Sequence, residues 1–168
     1  MLPTLCDEGV TLRPLDDAAL TTLVEIVGMP GVREWWSSTT DPYELRDELG
    51  QDGDAFAIEV GGEVVGWLGF SEESTPEYRH AGLDIILAPS HQNGGIGPAS
   101  LRLAARWLIE ELGHHRLTID PAAHNARAIH VYGKLGFRPV GVMRRYERGV
   151  DGEWHDGLLM DLLAEELT

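Results

Sequence analysis

The sequence predicts a mixed α/β domain whose sheet begins antiparallel. Three observations carry this reading. Two apolar runs, Ala55–Val60 and Val64–Phe70, are joined by Gly61-Gly62, a strong hairpin signal. Two later amphipathic stretches each end at a glycine, Gly113 and Gly136, as helices do. A last pair of strand-like runs flanks Gly149-Val150-Asp151-Gly152, so the regular alternation of a doubly wound sheet is missing. The chain has 168 residues, 43% apolar and 24% charged, enough for one domain with a real core. Residues 1–168 read as a single domain, without repeats or low-complexity linkers.

Val10 to Leu15 alternates and predicts a strand. Asp16-Asp17 then supplies an N-cap and an acidic first turn, and Ala19, Leu20, Leu23, Val24 and Val27 follow at helical spacing until Gly28 and Pro30. Asp41-Pro42 opens a short helix carrying Leu45 and Leu49. Ala55–Val60 and Val64–Phe70 form the hairpin, and a further strand runs from about Arg79 to Leu87. On that strand His80, Gly82, Asp84 and Ile86 share one face. A glycine-rich loop leads to a helix from Pro98 with Leu101, Ala104, Ala105, Leu108 and Leu112 as its stripe. His115–Asp120 predicts a strand closed by Pro121, Asn125–Leu135 a helix, and Phe137–Tyr146 with Trp154–Leu163 a closing hairpin.

The net charge is −15. Residues 1–90 hold 18 acidic and 4 basic side chains, whereas residues 91–168 hold 10 and 9. This balance excludes a basic footprint for nucleic acid and disfavours anionic lipid, but suits a cationic partner. Cys6 is the one cysteine, so no intrachain disulfide forms. The first residues show no basic region followed by an apolar stretch, so no signal peptide is expected; no apolar run approaches membrane-spanning length, and a cytoplasmic location is the expectation.

Gln92-Asn93-Gly94-Gly95-Ile96-Gly97 lies between a strand and an amphipathic helix. Glycines there let backbone N–H groups approach an anion, with the helix N-terminus adding partial positive charge. No lysine follows as in a P-loop, and the third glycine of a dinucleotide fingerprint is missing. The Gln-x-x-Gly-x-Gly pattern resembles the acetyl-CoA diphosphate loop of the GNAT N-acetyltransferase superfamily. The segment Asn125-Ala126-Arg127-Ala128-Ile129-His130-Val131-Tyr132-Gly133-Lys134-Leu135-Gly136-Phe137 resembles that superfamily's Asn…Ala…Tyr…Gly-Phe motif. The resemblance implies a central, mostly antiparallel mixed sheet, splayed between the fourth and fifth of the strands above and flanked by helices.

It also implies acetyl-CoA as co-substrate and no metal. The backbone of Ile86 and Leu87 would pair with the pantetheine arm. Gln92, Asn93, Gly94, Gly95, Ile96 and Gly97 would hold the diphosphate, and an N–H near Leu87 would polarise the thioester carbonyl. Asn125 would steady the pantetheine and Tyr132 would protonate the departing thiolate. Pro98 departs from the commonest pattern and lacks one donor N–H; at a first helical position it would tighten helix initiation. Asn125 is equally a helix N-cap and Tyr132 equally a packing residue, and the sequence does not separate these roles.

Three segments resemble the aminoglycoside 6′-N-acetyltransferases: Val32-Arg33-Glu34-Trp35-Trp36, Gly82-Leu83-Asp84 and Thr118-Ile119-Asp120-Pro121. Aminoglycosides are polycations, so carboxylates at the ends of adjacent strands suit their ammonium groups. Asp84 and Asp120 are the expected binding and proton-accepting groups, and Trp35 and Trp36 the expected platform for a sugar or cation. Asp120 before Pro121 also fits a strand-ending turn, and one of the two tryptophans is expected in the core. Of these residues Asp84 is the hardest to assign to structure alone, because an unpaired carboxylate in an apolar strand is costly. The expected partner is therefore a cationic small-molecule amine, with a homodimer allowed. Protein N-terminal acetyltransferases, siderophore-type acyltransferases and a non-catalytic ligand-binding module are the alternatives. Asp41, Glu44, Asp47, Glu48, Asp52 and Asp54, just after the tryptophans, are expected to draw a polycation to the cleft.

Overall fold

The computed structural model describes residues 1–36, 39–49 and 55–168; Asp52 and Asp54 of the acidic run lie outside them. The elements are β1 (Leu5–Asp7), β2 (Val10–Pro14), α1 (Asp17–Val27), α2 (Pro42–Glu48), β3 (Ala55–Val60), β4 (Glu63–Glu73), β5 (His80–Leu87), α3 (Ile96–Glu110), β6 (Arg116–Ile119), α4 (Ala126–Lys134), β7 (Arg138–Arg148) and β8 (Trp154–Leu163). The eight strands form one sheet in the order β1-β2-β3-β4-β5-β6-β8-β7. Every neighbouring pair is antiparallel except β5 and β6.

Local chemistry sets the helix ends. Asp16 accepts from the Ala19 N–H at 2.8 Å and Asp41 from the Tyr43 N–H at 2.8 Å, each replacing a missing intrahelical bond. The helix α3 starts at Ile96, two residues ahead of the expected Pro98, because Gly95 at φ 84° turns the chain straight into it. Pro98 is thus the third helical residue, where an N–H would lack an intrahelical partner anyway. Strand β1 was not expected; three residues carry too short an alternation to signal a strand.

Alternate residues of the central strands feed two cores. Leu12, Phe56, Leu68 and Leu83 meet Leu101 and Leu108 of α3. Trp67 and Ile86 meet Leu23 and Val27 of α1 and Leu45 of α2. Each such side chain, removed from water, contributes about 1.5–3 kcal/mol before entropy is set against it. The sheet is therefore held rigidly up to the point where β5 and β6 part, and that point positions the site.

Candidate active site

Strands β4 and β5 pair along eight rungs, from Glu73–His80 to Gly66–Leu87. On its other side β5 pairs with β6 at two rungs only, Ala81–Leu117 and Gly82–Thr118. Beyond them the strands separate while β6 stays paired to β8 through Ile119–Met160. A Cβ on Gly82 would lie 3.0 Å from Ser71 Oγ and 3.5 Å from Thr118 Oγ1, so glycine lets the last rung close before the strands part. Asp84 and Asp120 each follow that rung by two residues, so they face one another across the mouth of the opening. Opposite Asp84 on β4 is Gly69, over which the Trp67 indole lies; a Cβ there would meet the ring at 2.2 Å.

The Asp84 side chain keeps access to solvent through the cleft, yet protein surrounds it on most sides. Burial first, then the Asp120 and Glu147 carboxylates, push its pKa up to about 7. Tyr132 on α4 lies near the same pair. Burial, followed by the charges of Asp84 and Asp120, holds its hydroxyl above the ordinary range. That phenol stays protonated and remains a donor near neutral pH.

Strand β7 adds two groups that sequence reasoning missed, Tyr146 and Glu147. The β7–β8 register breaks between Met143 and Glu147, and Arg145 within the break takes φ 50°. The Asp156 carboxylate accepts from the Arg145 N–H at 2.7 Å and pins the bulge. Gly157 leaves the Tyr146 ring room to cross β8; a Cβ there would sit 2.9 Å from it. The Tyr146 hydroxyl donates to Asp120, and this bond with burial pushes its pKa up to about 12. Glu147 is raised by burial and then by Asp120, while His155 opposes the shift. A period-2 pattern through Arg144-Arg145-Tyr146-Glu147 carries no sign of this bulge.

The two tryptophans part. Trp36 packs edge-on against Trp67 of the core with centroids 5.7 Å apart. Trp35 is 37% exposed and its ring lies 5.1 Å from that of His124, on the loop after Asp120. His124 in turn lies 5.4 Å from His155, whose Nε2 is 2.8 Å from Asp151 Oδ2. Trp35, His124 and His155 thus form an aromatic wall between the α1–α2 loop and β8. The described acidic residues Asp41, Glu44, Asp47 and Glu48 stand exposed on and beside α2.

The glycine loop has the form of an anion cradle. Asn93 and Gly95 take φ 63° and 84°, and Gly95 caps α3 without any side chain on its first amides. A Cβ on Gly94 or Gly95 would meet nothing within 4 Å, so the loop surface is open. Open N–H groups at a helix N-terminus fit a diphosphate. Gln92 is engaged at both ends: its Nε2 donates to the Leu87 carbonyl at 2.9 Å and its Oε1 accepts from Arg127 Nη1 at 2.6 Å. Ile86 pairs with Trp67 of β4, and both it and Leu87 lie beyond the last β5–β6 rung. Asn125 caps α4, accepting from the Ala128 N–H at 3.1 Å. Among the described residues, no group of His, Cys, Asp and Glu has the geometry to hold a metal ion. His114 is buried with its Nε2 2.6 Å from Glu72, and His115 is exposed.

A family model described as the acetyltransferase (GNAT) family matches residues 20–137. The chain belongs to the GNAT family. It is 28% identical to a spermidine N(1)-acetyltransferase of Escherichia coli (strain K12), over 94% of this chain and 88% of that one. It is also 28% identical to an aminoglycoside N(6′)-acetyltransferase type 1 of Klebsiella pneumoniae, over 83% of this chain and 79% of that one. A GNAT-family acetyltransferase of Bacillus anthracis superposes with a TM-score of 0.84 at 17% identity, covering 98% of this chain and all of the other, which shows the fold. The protein is an N-acetyltransferase, and GNAT enzymes take acetyl-CoA as co-substrate. The resemblance to the 6′-acetyltransferases widens accordingly to GNAT enzymes acting on amines.

Proposed function

We propose that this GNAT enzyme transfers the acetyl group of acetyl-CoA to a primary amine of a cationic small molecule, most specifically the 6′-amine of an aminoglycoside. The observation that supports it best is the facing of Asp84 and Asp120 across the parted strands, with Glu147 beside them. Three coupled carboxylates repel one another unless a cation joins them, so an ammonium is the ligand they favour. The exposed Trp35 ring offers a platform for a sugar. A polyamine acceptor is the second reading, favoured by the spermidine enzyme's likeness over 94% of this chain.

In this reading Asp84 and Asp120 bind the acceptor ammonium, and Asp84 takes its proton, directly or through water. Acetyl-CoA supplies an activated thioester; the free amine attacks its carbonyl carbon, the C–N bond forms and the C–S bond breaks. Tyr132 donates its proton to the leaving sulfur and is reprotonated, directly or through water, by the second proton that the attacking nitrogen sheds as the amide forms, while an N–H near Leu87 steadies the carbonyl oxygen. Attack is direct, since Cys6 lies exposed on β1, far along the chain from these residues. The glycine loop and the open α3 N-terminus hold the diphosphate, while Asn125 keeps α4 in register with the pantetheine arm. The proposal places the protein in the cytoplasm, where acetyl-CoA is made and used.

The test is thiol release from acetyl-CoA across a panel: a kanamycin-type aminoglycoside, spermidine, an N-terminal peptide and a hydroxylated lysine. Turnover on the aminoglycoside, with the product acetylated at the 6′ position by mass spectrometry and NMR, is expected. Turnover on spermidine alone favours the polyamine reading. Turnover on the peptide alone sinks both, and acetyl-CoA binding without thiol release on any amine favours a sensor.

A further inference from the structure

Arg127 has a position that the acceptor chemistry leaves unused. It stands in the first turn of α4, where the helix dipole is positive and a cation is disfavoured. Its partner there is a neutral amide oxygen, Gln92 Oε1 at 2.6 Å. Gln92 opens the glycine loop, and its other end is fixed to the Leu87 carbonyl at the end of β5. The chain Leu87–Gln92–Arg127 therefore links the end of β5 and the glycine loop to the first turn of α4. It holds an exposed guanidinium beside the loop whose amides open at the α3 N-terminus.

Resting on the acetyl-CoA reading above, we propose that Arg127 is a cofactor-binding residue that exchanges the Gln92 amide for a diphosphate oxygen of acetyl-CoA. The exchange is favourable in direction. A neutral acceptor is replaced by a charged one, and charge-assisted bonds are shorter and stronger. The anion also offsets the unfavourable placement of a cation at a helix N-terminus. Gln92 is then a positioning residue: it holds the guanidinium ready and reaches the ligand only through it. No side chain of the loop itself is cationic, so Arg127 supplies a charge that the loop lacks.

The experiment compares wild type with Arg127→Met, which keeps the side-chain length on an exposed helix surface. Affinities are measured by calorimetry for acetyl-CoA and dephospho-acetyl-CoA, and by NMR titration for S-acetylpantetheine, which has no diphosphate. The proposal expects the variant to lose about tenfold in affinity for both nucleotide thioesters, the size of one bond to a charged group, and to bind S-acetylpantetheine as wild type does. An equal loss with S-acetylpantetheine would mean that Arg127 only supports the cleft. A loss confined to acetyl-CoA would assign the guanidinium to the 3′-phosphate. No loss at all removes the role, and each of these three results overturns the diphosphate contact. A wild type that binds no acetyl-CoA overturns the co-substrate reading as well, which separates the two failures.

Discussion

Asp84 and Asp120 each stand two residues past Gly82–Thr118, the last rung that joins their strands. Pairing to that rung fixes the two carboxylates at one level, and separation beyond it opens the space between them. The carboxylates therefore face a gap made by the sheet itself.

The raised pKa of Asp84 gives a rate prediction. If Asp84 takes the ammonium proton, kcat/KM rises with pH through about 7, as the carboxyl ionises. Asp84→Asn should remove that limb and lower kcat by about 10²–10⁴. A pH–rate profile of both proteins, on whichever amine turns over, checks it.

The same group predicts a stability dependence of opposite sense. The Asp84 carboxyl is raised from 3.8 to about 7, so between these values the folded state holds the proton more tightly than the unfolded one. Its contribution is complete below the unfolded value and is lost as pH rises through the folded one. Asp84→Asn should therefore be the more stable protein at about pH 8, by about 1 kcal/mol after allowance for solvent in the cleft, and the gap should shrink towards pH 5. Urea unfolding at both pH values reads this directly.

Tyr132→Phe removes a phenol that burial and two carboxylates keep protonated. The expected result is a fall in kcat of about 10²-fold with the KM for acetyl-CoA little changed, because in the proposed mechanism the proton is needed only as the thiolate leaves. Steady-state kinetics with saturating acceptor separate the two constants.

Trp35 and Trp36 should behave as opposites. Trp36→Ala deletes a ring packed edge-on to Trp67 and should cost about 2–3 kcal/mol of stability. Trp35→Ala should change stability by under about 0.5 kcal/mol, as at most surface sites, and raise the acceptor KM. Thermal melts and kinetics on both variants give the contrast. The acceptor KM of the wild type should also climb with added salt, since exposed charges near α2 act through solvent.

The parts legible in the sequence are those written in local chemistry. Asp16 and Asp41 announce their helices, Gly61-Gly62 its hairpin, and Gln92–Gly97 its loop. Asp84 stood out because an apolar strand gives a lone carboxylate no structural use. What stayed hidden depends on distant partners. The parting of Trp35 from Trp36 follows from where Trp67 and His124 lie. The arrival of Tyr146 and Glu147 follows from a bulge that only the β8 partner strand defines. The occupation of both ends of Gln92 follows from Arg127, a residue 35 positions away.

The central claim is that Asp84 and Asp120 act together on one ammonium. The most direct measurement is kcat/KM for the acceptor in wild type, Asp84→Asn, Asp120→Asn and the double variant. The account predicts a loss of about 30-fold or more in each single variant, and little further loss in the double, because groups serving one cation are not additive. Wild-type kcat/KM in both single variants would contradict it.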